Sequence, residues 1–146
     1  MKIAVIDLQK RHSVNKEMIK RAASAALRWL AIEDAEINIV LVSDKRIKGL
    51  NKVYRKRGHV TDVLAFELDL LPSSSIRTRK VRLAGDVVIS LDRACANSRR
   101  FSTSSNDELK LYVIHGILHL AGFTDYDKRS YGEMKRIQEK IWRDIC

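Results

Sequence analysis

The sequence predicts an α+β fold, one domain over residues 1–146 with a small mixed sheet of about four strands packed with about five or six helices. Three observations lead there. Short runs rich in β-branched residues alternate along the chain with longer stretches whose apolar residues recur at helical spacing, a pattern that places helices between strands and packs them on a sheet. A length of 146 residues is that of one domain, enough to bury a core and too short for two ordinary ones. Finally, 45% hydrophobic and 32% charged residues with one proline and six glycines is the composition of a globular chain, and excludes disordered and fibrous classes.

Taken in order, "KIAVIDL" reads as a first strand. The following helix carries Met18, Ile19, Ala22, Ala23, Ala26, Leu27 and Leu30 on one face, with Ser13 as its expected N-cap. "EINIVLVS" is a second strand, after which Asp44 is expected to cap a short helix running to about Tyr54. "DVLAFEL" reads as a third strand. From Asp69 to Lys80 the chain turns polar, with its one proline and "SSS", and is expected to be an exposed loop within the domain. "VRLAGDVVISL" returns to strand, with Gly85 expected at a bulge or a close backbone approach. Asp92 is expected to cap a helix through Arg100. Two helices finish the chain, from near Asn106 to Ala121 and from about Lys128 to the end, the latter with Met134, Ile137, Ile141 and Ile145 on one face.

No apolar run approaches the roughly 20 residues of a membrane helix, and "MKIAVIDLQKRH" turns polar too soon for a signal peptide, so a cytoplasmic protein is expected. Cys95 and Cys146 are the only cysteines, too few for a disulfide framework, and are expected to be free thiols. A formal charge of +10 and a pI near 9.9 favour association with polyanions. The positive charge is clustered in "YRKRGH", "RTRKVR" and Arg99–Arg100, which points to nucleic acid.

The chemistry concentrates in "HGILHLAGFTD", residues 115–125. His115 and His119 lie four apart and share one face of a helix, where their ring nitrogens can hold one ion. Leu109, Val113, Ile114, Ile117, Leu118, Leu120 and Ala121 cover most of that helix's circumference. The helix is therefore expected to be buried, with the histidines, Glu108 and Tyr112 on its one polar stripe. Gly122 can end it in a left-handed turn. Asp125 can then swing back as third ligand of a site on this central helix and the turn after it, with a position open for water. Asp127 competes for that role, and either aspartate can instead cap the last helix. Without an ion, both histidines would be core residues bonded to carbonyls, with Gly122 an ordinary helix end. Zincin proteases share the spacing but place a glutamate base after the first histidine, where this chain has Gly116.

These residues resemble the YbeY family of bacterial endoribonucleases and ribosomal-RNA maturation factors, whose metal segment reads approximately HGxLHLxGYDH. "LNKVYRKRGHVTDVLAFE" (50–67) and "AGDVVIS" (84–90) resemble two further family segments in the expected order, so the likeness spans roughly residues 50–125. It implies a metal-dependent, single-strand-preferring endoribonuclease acting in ribosomal-RNA maturation at the 16S 3′ end and in ribosome quality control, with the small ribosomal subunit as partner. It implies one divalent ion, generally zinc, on His115, His119 and Asp125, with His115 and Arg55 serving the cleavage. Asp125 stands where the family has a third histidine, and Ala65 replaces the usual serine. A carboxylate lowers the net charge at the ion and shifts preference toward harder metals.

A guanidinium such as that of Arg55 can hold a phosphate through two hydrogen bonds and stabilise charge on its oxygens. Lys56, Arg57, Arg77, Arg79, Lys80 and Arg82 are candidates for the flanking phosphates. Water and the RNA 2′-hydroxyl both remain open as the attacking group. His59 and Thr61, near Asp62, are expected to line the cleft or stand exposed. Tyr112 is expected to pack rather than stack, and Asp86 to support a histidine ligand or orient a loop. Two rival functions remain, a non-enzymatic ribosome-assembly factor with a structural ion and a metallohydrolase of another substrate.

Overall fold

The computed structural model describes residues 1–55, 63–67, 82–125 and 127–145. In chain order these form β1 (Lys2–Asp7), α1 (Lys16–Trp29), β2 (Asp34–Val42), α2 (Asp44–Arg55), β3 (Val63–Glu67), β4 (Arg82–Ser90), α3 (Leu91–Arg100), α4 (Ser105–Leu120) and α5 (Lys128–Ile145). The strands make one sheet in the order β1-β2-β4-β3. β1, β2 and β4 run parallel, with Ile37 opposite Ile3 on one side and Gly85 on the other. β3 pairs antiparallel to β4. The register passes through Gly85 against both Ile37 and Glu67 without an extra residue, so no bulge forms there.

Alternation along the strands divides the core between the two faces of the sheet. Ile37, Ile39 and Leu41 of β2 and Val87 and Ile89 of β4 join the main core with α1 and α4. Val42 and Val88 point the other way and pack with Ile47 under α2. α4 lies against β3 and β4 and also touches α1, α3 and α5. Leu109, Val113, Ile114, Ile117, Leu118 and Leu120 are all buried, as a helix apolar nearly all round requires. A Cβ at Gly116 would run into Cγ1 of Val87, so the glycine is where α4 comes down onto the sheet. Sequence showed Gly116 as the place of a missing glutamate; its packing role comes from a strand far away in the chain.

Three expected caps fall on neighbouring residues instead. Asn15, not Ser13, caps α1, its side chain accepting from the Met18 amide at 3.2 Å. At α3 the extended residue is Ser90, whose hydroxyl accepts from the Arg93 amide. Asp92 sits inside the first turn, where one carboxylate oxygen accepts from the Asp44 amide at 2.8 Å and the other meets His12 Nε2 at 3.0 Å. Asp44 is likewise inside α2; its carboxylate accepts from the Ser90 hydroxyl and the Arg93 guanidinium, while Ser43 accepts from the Arg46 amide. Each aspartate thus ties the start of its own helix to the other, an option that cap preferences alone do not anticipate. Cys95 is a half-buried free thiol on α3; Cys146 lies outside the described residues.

Candidate metal centre

α4 delivers both histidines to one spot. His115 and His119 are one turn apart and half-buried, with their Nε2 atoms 2.9 Å from each other and their rings nearly perpendicular. The other nitrogen of each ring is already engaged. His115 Nδ1 lies 3.0 Å from Gln138 Oε1 of α5, and His119 Nδ1 lies 3.1 Å from the Phe123 carbonyl oxygen. Both oxygens accept only, so each Nδ1 carries the proton, and a neutral ring then presents an Nε2 lone pair. At that distance the two Nε2 atoms can share a proton, as one ring donates to the other, or turn both lone pairs to a common cation.

The third member arrives through the helix end. Gly122 has φ +101°, its amide donates to the His119 carbonyl, and the Phe123 amide donates to the Leu118 carbonyl. This paired closure reverses the chain in a conformation that side chains disfavour and glycine takes freely. Beyond it the Asp125 carboxylate comes within 3.9 Å of His119 Nε2. Ligand atoms of His115, His119 and Asp125 all lie within 4.8 Å of one another. A tetrahedral ion with bonds of about 2.0–2.2 Å would hold its ligand atoms about 3.3–3.6 Å apart, so small adjustments suffice. Two imidazoles and a carboxylate, with both imidazole Nδ1 protons held, are a donor set that fits a divalent ion with an open position.

Asp127, the competing aspartate, is committed elsewhere. Its carboxylate accepts from the Ser130 amide at 2.8 Å, and its carbonyl accepts from Tyr131 at the start of α5. That Ser130 amide, foremost, holds the Asp127 carboxyl below the ordinary carboxylate range. It serves as helix cap, leaving Asp125 with the histidines.

Other expected residues separate from this cluster. Asp86 accepts from the Asn38 side chain of the adjacent strand at 3.0 Å, and the Nδ1 atoms of His115 and His119 have the other partners named above, so it does not support a histidine. Tyr112 is buried and hydrogen-bonded by Asn97, which fits packing rather than stacking. Glu108 is buried and accepts from the Thr103 hydroxyl at 2.7 Å. Arg55 ends α2 and Arg82 begins β4, but their side chains lie outside the described residues, as do Lys56, Arg57, His59, Thr61, Asp62, Arg77, Arg79 and Lys80 entirely. Gln138 and the Phe123 carbonyl were not among the residues that sequence singled out. An i, i+4 pair announces itself locally, whereas a glutamine 23 residues away carries no signal.

The His115 and Asp125 side chains open into a cleft of about 540 Å³ lined also by Val63, Phe101 and Tyr131. No described helix is long and apolar enough to cross a membrane.

Comparison with known proteins adds a family to this geometry. Residues 4–145 match the family described as Endoribonuclease YbeY. Among curated proteins, the Endoribonuclease YbeY of Treponema pallidum (strain Nichols) is 41% identical over 122 residues, covering 84% of this chain and 76% of that one. That of Aquifex aeolicus (strain VF5) is 35% identical over 136 residues, 93% and 82% of the two chains. Among solved structures, the solution structure of TM1509 from Thermotoga maritima superposes with a TM-score of 0.63 at 25% identity, covering 98% of this chain and 88% of that one.

Proposed function

This chain belongs to the endoribonuclease YbeY family, and from that premise we propose that it is a metal-dependent endoribonuclease that prefers single strands and matures ribosomal RNA. In this reading residues 1–146 form one catalytic domain, working in the cytoplasm on the 16S 3′ end and in ribosome quality control, with small-subunit components as partners.

One observation carries the metal dependence. The two Nε2 atoms converge at 2.9 Å with a carboxylate beside them, an arrangement suited to sharing one cation. His115, His119 and Asp125 would hold one divalent ion, zinc on the donor set, and His115 would also serve the cleavage. When bound, the ion supplies a Lewis acid for a phosphoryl oxygen and lowers the pKa of a coordinated water. Gln138 and the Phe123 carbonyl hold the imidazole protons away from the cluster and keep the rings in one orientation.

Arg55 would grip the scissile phosphate through its planar fork, with Lys56, Arg57, Arg77, Arg79, Lys80 and Arg82 on flanking phosphates. Two features support this. The net charge of +10 suits a polyanion, and Val63, where the described chain resumes after the Arg55–Lys56–Arg57 run, lines the same cleft as His115.

The decisive experiment pairs elemental analysis with cleavage of a single-stranded RNA by the wild type, His119→Ala and Arg55→Ala. One zinc per chain, lost in His119→Ala and kept in Arg55→Ala, with cleavage lost in both folded variants, is the expected result. Undiminished cleavage in both variants would overturn the assignment. Metal-dependent RNA binding without turnover would give the protein an assembly role instead.

A further inference from the structure

We infer that Phe101 and Tyr131 form a nucleobase-stacking subsite beside the histidine–aspartate cluster, an inference that rests on the ribonuclease reading above. Single exposed apolar side chains are common on protein surfaces and need no explanation. These two are different because they converge. Phe101 is 59% exposed and Tyr131 55% exposed, more than any other large hydrophobic residue among those described. Phe101 caps the C-terminal end of α3, and Tyr131 belongs to the first turn of α5. Their positions are unrelated in sequence, yet both line the cleft that contains His115 and Asp125.

Positive charge lies beside Phe101 and near Tyr131. The Arg100 guanidinium lies 5.4 Å from the centroid of Phe101, within the range of an attraction between a cation and an aromatic face. Lys135 lines a smaller adjoining pocket with Tyr131, His115 and Asp125. Aromatic surface and positive charge are thus interleaved around the cluster, as bases and phosphates are interleaved along a nucleic-acid strand. A strand whose scissile phosphate lies in this cleft beside the cluster must place its neighbouring bases somewhere within a nucleotide's reach, and the exposed rings offer π-faces there. Stacking accepts any base, so this subsite would hold RNA without reading its sequence. It also selects unpaired RNA, because bases within a duplex are already stacked on each other and turned inward.

The test measures binding as well as cleavage. A fluorescein-labelled single-stranded oligoribonucleotide and its abasic counterpart are titrated with chelator-treated full-length protein and followed by anisotropy. The wild type is compared with Phe101→Ala, Tyr131→Ala, the double variant and Phe101→Trp; circular dichroism and thermal unfolding verify that the exposed substitutions leave the fold intact. Each alanine is expected to weaken binding of the base-bearing strand roughly 5- to 100-fold, and Phe101→Trp to retain it. The abasic strand should bind wild type and double variant alike. Equal binding of the base-bearing strand by wild type and variants would overturn the subsite, as would a preference for bases that persists in the double variant. If zinc-loaded wild type cleaves RNA while bases make no difference, the subsite falls and the nuclease stands. If the wild type neither binds nor cleaves RNA, both fall.

Discussion

Gln138 accepts the Nδ1 proton of His115 at 3.0 Å, joining α5 to a metal-ligand candidate on α4 across 23 residues of chain. Partners of this kind set the tautomer and the direction of the lone pair, and their loss typically weakens metal affinity 10- to 100-fold. Gln138→Ala is therefore expected to weaken zinc binding by about that factor, read by competition with a chromophoric chelator. Gln138→Glu, which keeps an acceptor oxygen, should restore most of it. Unchanged affinity in Gln138→Ala would show that the contact does not orient the ring.

Asp125 and Asp127 are two residues apart and separate cleanly in what they touch. Asp125→Asn is expected to lower zinc affinity at least tenfold with little change in unfolding temperature. Asp127→Asn should leave affinity unaltered, because its carboxylate caps α5 through the Ser130 amide, and asparagine replaces aspartate well in that role. Asp127→Ala should lower the midpoint of denaturant unfolding, because the cap is lost. A loss of zinc on changing Asp127 alone would reverse the assignment.

Gly116 gives a prediction about packing. Alanine would gain up to about 1 kcal/mol in helix propensity, but its Cβ must displace Val87 in the centre of the sheet. Overpacking of this type costs about 1–3 kcal/mol, so Gly116→Ala is expected to be net destabilising in denaturant titrations. Adding Val87→Ala should recover part of the loss, and a double-mutant cycle would expose the coupling. Simple additivity would mean that the two do not meet.

Asp92 predicts part of the acid response. The Asp44 amide, foremost, together with His12 and Arg11, holds its carboxyl below the ordinary 3.8, against the opposing effect of burial. A carboxyl lowered in the folded state stabilises the protein above the unfolded-state value, and that contribution disappears as pH falls through the folded one. Stability should therefore fall in wild type as acid is added below about pH 4, an ordinary carboxylate value. Asp92→Asn should begin less stable at neutral pH and show a shallower acid limb. Parallel curves in the two proteins would deny Asp92 this role.

What was readable in the sequence follows the distance over which each feature is specified. The histidines, Gly122 and Asp125 occupy eleven consecutive residues, and one helix and one turn bring them together. The buried character of α4 was equally local, because apolar residues cover nearly its whole circumference. Caps were harder to assign where several polar residues stand close together. Ser13 and Asn15 offer similar oxygens, and Asp92 was diverted by His12, 80 residues earlier. Gln138 and the meeting of Gly116 with Val87 depend on which elements become neighbours, and so does the order β1-β2-β4-β3. No periodicity along one segment encodes which other segment it will lie against.

The burial of α4 has one more consequence. Its apolar side chains anchor it between the sheet and three other helices by contacts in which neither imidazole is needed. The receptacle is accordingly carved during folding, before any ion arrives, so stripping the protein with a chelator should empty it without melting it. Small zinc fingers, by contrast, collapse when stripped because their ligands are most of what holds them together. If the proposed ion binds, its loading would be a late, reversible event on a finished scaffold, and its supply would govern activity while leaving the quantity of folded protein untouched.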